Sequence, residues 1–200
     1  MHNFDKVFKV FQKNYKTVPL EKFSRDPYQV LISVLLSSRT KDEVTFEAAK
    51  RLFKRAPNIN LLSGLGVSEI RNLIYPVGFY KTKSIHLARL AKMVIKDTDG
   101  EVPKTRNQLL NLPGVGRKTA NLVLNRAFNI PAIAVDTHVH RISNLLGWVK
   151  TKTPQKTEDK LTKILPKKYW SRINRLFVSI GRQFTTQKRL KEFLKKNKLI

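Results

Sequence analysis

Apolar residues recur along most of this chain at the three-and-four spacing of amphipathic helices, and no stretch alternates as a half-buried strand would. Phe4, Val7, Phe8, Val10 and Phe11 predict a docking helix over residues 3 to 14, with Lys6, Lys9 and Lys13 left for water. Asp26 and Pro27 form a cap with a first-turn proline, and the following run, VLISVLL, is apolar on every side, which marks a core helix. Thr40 and Glu43 have capping-box spacing ahead of Val44, Ala48, Ala49, Leu52 and Phe53, and Pro57 ends that helix. Ser68 is placed to cap a helix reaching Ile74, and Ile85, Leu87, Ala88, Leu90, Ala91, Val94 and Ile95 mark another long helix over residues 80 to 96. Thr105 caps a short helix leading into Leu112, and Ala120, Val123, Leu124, Ala127 and Phe128 set a buried face on residues 117 to 128. Val139, Ile142, Leu145 and Leu146 predict one more helix, ending at Gly147. Thr153 with Pro154 repeats the cap-plus-proline start for helices over 154 to 165 and then 168 to 183. The fold class is all-α.

Between two of these helices lies the stretch LPGVGRKTANLVLNRAFNIPAIAVD, residues 112 to 136. Gly114 and Gly116 allow a tight turn with several amides pointing one way, so the flanking helices read as a helix-hairpin-helix. Lys118 lies off the apolar stripe at the start of the second helix. There the helix dipole and neighbouring cations favour the uncharged amine that a nucleophile needs.

Charge changes the picture more than composition does. The chain has 40 Lys and Arg against 14 Asp and Glu, a formal net charge of +26, which calls for a polyanionic partner. Nucleic acid is the natural one. No segment approaches the ~20 apolar residues of a spanning helix, and the N-terminus lacks a signal-peptide block, so the expectation is an intracellular protein. Two hundred residues suffice for one large domain or two small ones without staples. There is no cysteine, hence no disulfide, thiolate nucleophile or cysteine-ligated metal centre. The last twenty residues hold seven Lys or Arg and one Glu, with Lys188, Lys191, Lys195 and Lys198 spaced to share a helix face that either meets water or contacts phosphates.

On the residues alone, three readings of the central stretch stand open. LPGVG is a plain interhelical turn with Lys118 and Asp136 at the surface; or the amides of Val115 through Lys118 hold a DNA phosphate without chemistry; or Lys118 attacks a sugar carbon and forms an imine. Asp136 follows an apolar run, where a carboxylate is costly unless it is paired or used. It can cap a helix through the amide of Val139, stabilise a developing oxocarbenium ion, or assist proton transfer. A nearby Asp136 would also raise the lysine pKa, a tension that the basic surroundings must outweigh. Asp136, His138 and His140 do not make a metal site, because helical residues two apart point to different sides. His138 reads as a DNA contact and His140 as a partly buried histidine. Among Tyr28, Phe79, Tyr80 and Trp148, the loop pair Phe79 and Tyr80 is best placed to stack on bases.

LPGVGRKTANLVLNRAF followed by IPAIAVDTHVHRISN resembles the endonuclease III family of helix-hairpin-helix DNA glycosylases. LLSSRTKDEV and VGFYKTKS stand in that family's order, and GEVPKTRNQLLNLPG leads into the hairpin. The resemblance runs from about residue 26 to 147, and more weakly to IGRQF near Gly181. It implies a six-helix domain over residues 20 to 130, a second helical domain from 1–19 plus 131–200, and DNA lying across a cleft with one nucleotide turned out of the duplex. It implies Lys118 as the nucleophile at C1′ and Asp136 as the catalytic aspartate. Gly114, Val115, Gly116 and Arg117 would hold DNA at the hairpin, while Arg39, Phe79 and His138 would fill the gap left by the nucleotide or contact its partner. Carbonyls of Leu110, Leu112 and Val115 would offer a site for Na+ or K+.

The expected activity is a base-excision glycosylase with abasic-site lyase activity on damaged, oxidised pyrimidines, the protein acting as a monomer on double-stranded DNA without a membrane. The alternatives are a noncatalytic helix-hairpin-helix binding protein and a mismatch or abasic-site specialist. Two departures stand out. Thr185 lies near the first position of the family's four-cysteine loop, so no [4Fe-4S] cluster and no other cofactor is expected. Arg39 stands where the family usually has glutamine.

Overall fold

The most apolar stretch of the chain becomes the buried centre of one folding unit. In the computed structural model, which describes residues 2–18 and 26–200, α2 (Pro27–Ser37) buries every residue from Val30 to Leu36. Asp26 caps it by accepting from the Gln29 amide at 2.9 Å, with Pro27 in the first turn. Each apolar side chain so enclosed contributes about 1.5–3 kcal/mol relative to exposure, which explains why a helix apolar on every side sits innermost. Against α2 pack α3 (Asp42–Arg55) and α8 (Arg117–Phe128). Beyond them, α4 (Ile59–Ser63) and α5 (Val67–Ile74) pack on the long α6 (Tyr80–Thr98), and α7 (Arg106–Asn111) pairs with α8. These helices form one compact unit, Pro19–Asn129.

The other unit joins the two ends of the chain, Met1–Val18 with Ile130–Ile200. It contains α1 (Phe4–Lys13), α9 (Thr137–Leu145), α10 (Pro154–Ile164), a 3-10 turn at Lys167–Tyr169, α11 (Trp170–Gln183) and α12 (Gln187–Lys196). Its core is aromatic. Phe8 stacks on Tyr169 at 4.0 Å between ring centroids, Phe4 meets Trp148 edge-on at 4.7 Å, and Phe11 meets Phe177 edge-on at 4.9 Å. The apolar face of α1 thus docks here, as its spacing predicts. Leu190, Leu194 and Leu199 are buried in the same core, and Phe193 stacks on Phe184 at 4.4 Å, so α12 closes this unit. Among the described residues there is no strand, and no helix is long and apolar enough to cross a membrane.

Several local expectations change. Thr40 does not cap α3: Lys41 holds the cap position with no side-chain bond, and the Thr40 hydroxyl donates to the Ser38 carbonyl at 3.1 Å. Ser68 lies inside α5, whose cap is Gly66. Lys198 falls beyond the end of α12 and adopts a left-handed φ of 54°, so it leaves the expected lysine face. The buried face of α8 is broader than its stripe. Thr119, Asn121, Leu122 and Asn125 are buried too, while Ala127 and Phe128 are only half-buried. Trp148 and Tyr28 are core residues; the Tyr28 hydroxyl donates to the Ala56 carbonyl at 2.7 Å, and burial pushes its pKa up.

Candidate functional site

The hairpin is built from a short capped helix, a left-handed glycine and an uncapped helix start. The Thr105 hydroxyl accepts from the Gln108 amide to open α7, and α7 ends at Leu112. Gly114 then takes φ 79°, a conformation costly for any residue with a Cβ. The Val115 amide donates to the Leu112 carbonyl at 3.1 Å, which closes the turn and engages one of the amides expected to hold a phosphate. Gly116 precedes α8 with no side-chain cap, so the helix opens on first-turn amides, with Arg117 and Lys118 as its first two residues. Lys118 is half-buried. Across the turn, Arg106 donates from Nε to Asn121 Oδ1 at 3.2 Å and ties α7 to α8. Of the three residues expected to offer carbonyls to a monovalent cation, Leu110 lies in the last turn of α7, Leu112 and Val115 flank Gly114, and the Leu112 carbonyl accepts from the Val115 amide.

A second pair of sequence-predicted residues meets elsewhere in the same unit. Arg39 and Phe79 both have left-handed φ, 51° and 59°, although neither is glycine. Phe79 is 59% exposed, unusual for a large apolar side chain, and the Arg39 guanidinium lies 5.3 Å from its ring centroid. The Gly78 amide donates to Thr40 Oγ1 at 3.1 Å, and a Cβ on Gly78 would collide with the Arg39 carbonyl oxygen. The two loops therefore touch through backbone as well as side chains.

Beneath them lies a residue that the sequence reading missed. Lys83, in the first turns of α6, is 9% exposed and donates from Nζ to the Leu36 carbonyl at 2.8 Å, the Ser38 carbonyl at 2.6 Å and Thr40 Oγ1 at 3.3 Å. Burial pushes its ammonium down to about 8. The signal was present, since Lys83 continues the stripe of Leu87, Leu90, Ala91 and Val94 by one turn, where a lysine is costly unless paired. The same helix reaches the hairpin one turn further on, where the His86 ring fills the space beside Gly114.

In the other unit, Asp136 caps α9 by accepting from the Val139 amide at 2.9 Å. It is half-buried and follows Ile133, Ala134 and Val135, all buried, and Asn174 Nδ2 donates to the Ala134 carbonyl at 3.0 Å to hold that segment. The His138 ring lies against the backbone of α11 at Gly181, where any side chain would collide with it. His140 Nδ1 shares a hydrogen bond with Thr157 Oγ1 at 2.6 Å, as fits a partly buried histidine within the fold. Arg141, one turn from His138, donates to the carbonyls of Gly181, Phe184 and Thr185 and secures the segment leading to α12. Among the described residues, no group of three or more His, Asp or Glu could hold a metal ion. With no cysteine in the chain, ligation of an iron-sulfur cluster by cysteine has no donor.

Residues 32–167 match the HhH-GPD superfamily base excision DNA repair protein family. The chain is 44% identical over 177 residues to endonuclease III of Thermotoga maritima, covering 88% of this chain and 80% of that protein. It is 42% identical to endonuclease III-like protein 1 of Gallus gallus over 78% of this chain, and spans 57% of that longer protein. A solved endonuclease III trapped as a covalent intermediate with DNA, an estranged-adenine complex, superposes with a TM-score of 0.82 at 35% identity, covering 92% of this chain and 85% of that one.

Proposed function

The chain belongs to the HhH-GPD superfamily of base excision DNA repair proteins and acts as a DNA glycosylase and abasic-site lyase of the endonuclease III kind, and from that premise we propose that Lys118 and Asp136 carry its chemistry on duplex DNA. The observation that supports this assignment most is the position of Lys118. It lies four residues after the left-handed Gly114, as the second residue of a helix whose start has no side-chain cap, an end suited to an anion. A phosphate held by Gly116 and the amides that follow would bring a deoxyribose within reach of the amine. The trapped covalent complex of a relative fits a covalent path of this kind.

In the proposed path the amine, once deprotonated, attacks C1′, and the glycosidic bond breaks with its electron pair leaving on the base. Opening of the sugar ring leaves an imine between Lys118 and C1′. Loss of a C2′ proton then expels the 3′ phosphate oxygen, and water hydrolyses the imine. Asp136 supplies negative charge to the oxocarbenium character at C1′ and takes a proton in the course of the reaction. The substrates proposed are oxidised pyrimidines in DNA inside the cell, bound by a protein monomer. Arg39, Phe79 and His138 contact the duplex around the displaced nucleotide, and the Leu110, Leu112 and Val115 carbonyls hold Na+ or K+ beside the phosphate. The exposed cations of α12 add phosphate contacts.

Borohydride reduction on a duplex with an abasic site tests the central assignment. The wild-type protein should form a covalent adduct, and Lys118→Ala should form none. No adduct with wild type, or equal trapping with Lys118→Ala, overturns the mechanism. A panel carrying thymine glycol, uracil, mismatched thymine and an abasic site then fixes the lesion class.

A further inference from the structure

Two unusual loops share one buried cation. Arg39 and Phe79 each hold a left-handed backbone that is strained for a residue with a Cβ, and both side chains stay exposed. Strain of that kind persists only where the surroundings over-determine it. Here the surroundings are identifiable. The end of α2 presents the Leu36 carbonyl, the connecting loop presents the Ser38 carbonyl and the Thr40 hydroxyl, and Lys83 Nζ donates to all three. Thr40 in turn accepts from the Gly78 amide, immediately before Phe79. Lys83 therefore holds the residue before Arg39 and the residue after it, and through Thr40 it holds the residue before Phe79. Lys83 itself is buried, and its bond to the Leu36 carbonyl is enclosed with it.

We infer that Lys83 is a positioning residue, locking the Arg39 and Phe79 loops into one pre-formed wedge that occupies the duplex when a nucleotide leaves the stack. An exposed aromatic ring under a guanidinium offers a face for a neighbouring base and a cation for the phosphates or the unpaired partner. Such a wedge acts best when it is rigid before binding, because loops that had to order on the DNA would pay that entropy out of the binding energy. Lys83, buried beneath these loops, acts through them rather than as a catalytic residue. The inference rests on the proposal that Arg39 and Phe79 enter the duplex, and the test separates the two.

The experiment compares lyase rates on two duplexes, one with an abasic site opposite a normal base and one with an abasic site opposite a second abasic site. The second has no partner base to displace or unstack. Lys83→Met keeps the volume and removes the donors; it should lose roughly tenfold to a hundredfold in kcat/KM on the first duplex and recover most of it on the second. Thr40→Val, which removes only the shared hydroxyl, should show the same split with a smaller loss, and it serves if Lys83→Met folds poorly. Equal losses on both duplexes would show Lys83 to be a structural residue only and overturn the inference. Phe79→Ala is the control. If it shows the split and the Lys83 and Thr40 variants do not, the positioning role fails alone; if Phe79→Ala shows none, the wedge itself fails.

Discussion

Gly114→Ala probes the hairpin at the point where turn, helix and neighbour meet. The residue has φ 79°, so a Cβ there brings a left-handed strain of roughly 1–2 kcal/mol. It also meets a wall: the new Cβ would lie 2.8 Å from His86 Nδ1, 3.2 Å from its Cγ and 3.3 Å from its Cβ. The ring can yield only by leaving its rotamer, at a further cost of about 0.5–1.5 kcal/mol. The substitution should therefore destabilise the protein by about 2–3 kcal/mol in urea unfolding. In a His86→Ala background the ring is gone, a single Cβ contact at 3.3 Å stays and the backbone strain remains, so the same change should cost only about 1–2 kcal/mol. The double-mutant cycle thus carries a coupling of roughly 1 kcal/mol between residues twenty-eight positions apart. Binding to abasic DNA should weaken alongside, since the α8 amides and Lys118 follow the turn. A loss below about 0.5 kcal/mol, or equal losses in the two backgrounds, would refute the account of the turn.

Three further outcomes follow from the geometry. Asp136→Ala should cost about 1 kcal/mol by uncapping α9, whereas Asp136→Asn keeps a good cap and should leave stability nearly unchanged while slowing base excision; a large stability loss in the Asn variant would contradict this division. Lys83, with its pKa lowered to about 8 from an ordinary 10.5, releases its proton in the folded state before the unfolded chain does. Unfolding then takes up a proton between those values, so stability relative to Lys83→Met should rise with pH across that window, by at most about 1.4 kcal/mol per pH unit, and stay flat below pH 8. Urea unfolding of both proteins at several pH values measures it, and a pH-independent difference would count against a buried ammonium. Lys188, Lys191 and Lys195 are all exposed on α12. Changing all three to Gln should lower the slope of log affinity against log salt by roughly 0.9 for each phosphate that the variant no longer neutralises, and an unchanged slope removes α12 from the DNA interface.

Much of this molecule was legible in its sequence because the relevant physics is local. Helical spacing located α1, α8 and α11, since burial of one face requires it whatever the partner, and a run apolar on every side marked α2. Asp26, Thr105, Asp136 and Thr153 announced their caps, because a cap and its amide lie within three residues. Gly114 marked the turn, and the apolar run before Asp136 marked a constrained carboxylate. Net charge pointed to a polyanion. What only the tertiary structure decided depends on groups distant in the chain. Thr40 was a plausible local cap until the Gly78 amide and Lys83, about forty residues later, claimed its hydroxyl. Lys83 lies on the buried stripe of α6, but nothing local reveals that acceptors at the end of α2 and in the loop after it await its ammonium. The pairing of Arg39 with Phe79, the room that Gly181 leaves for His138 and the wall that His86 sets beside Gly114 are likewise contacts between distant segments. The period of a sequence tells which face is buried, while the neighbour that buries it is chosen by the fold.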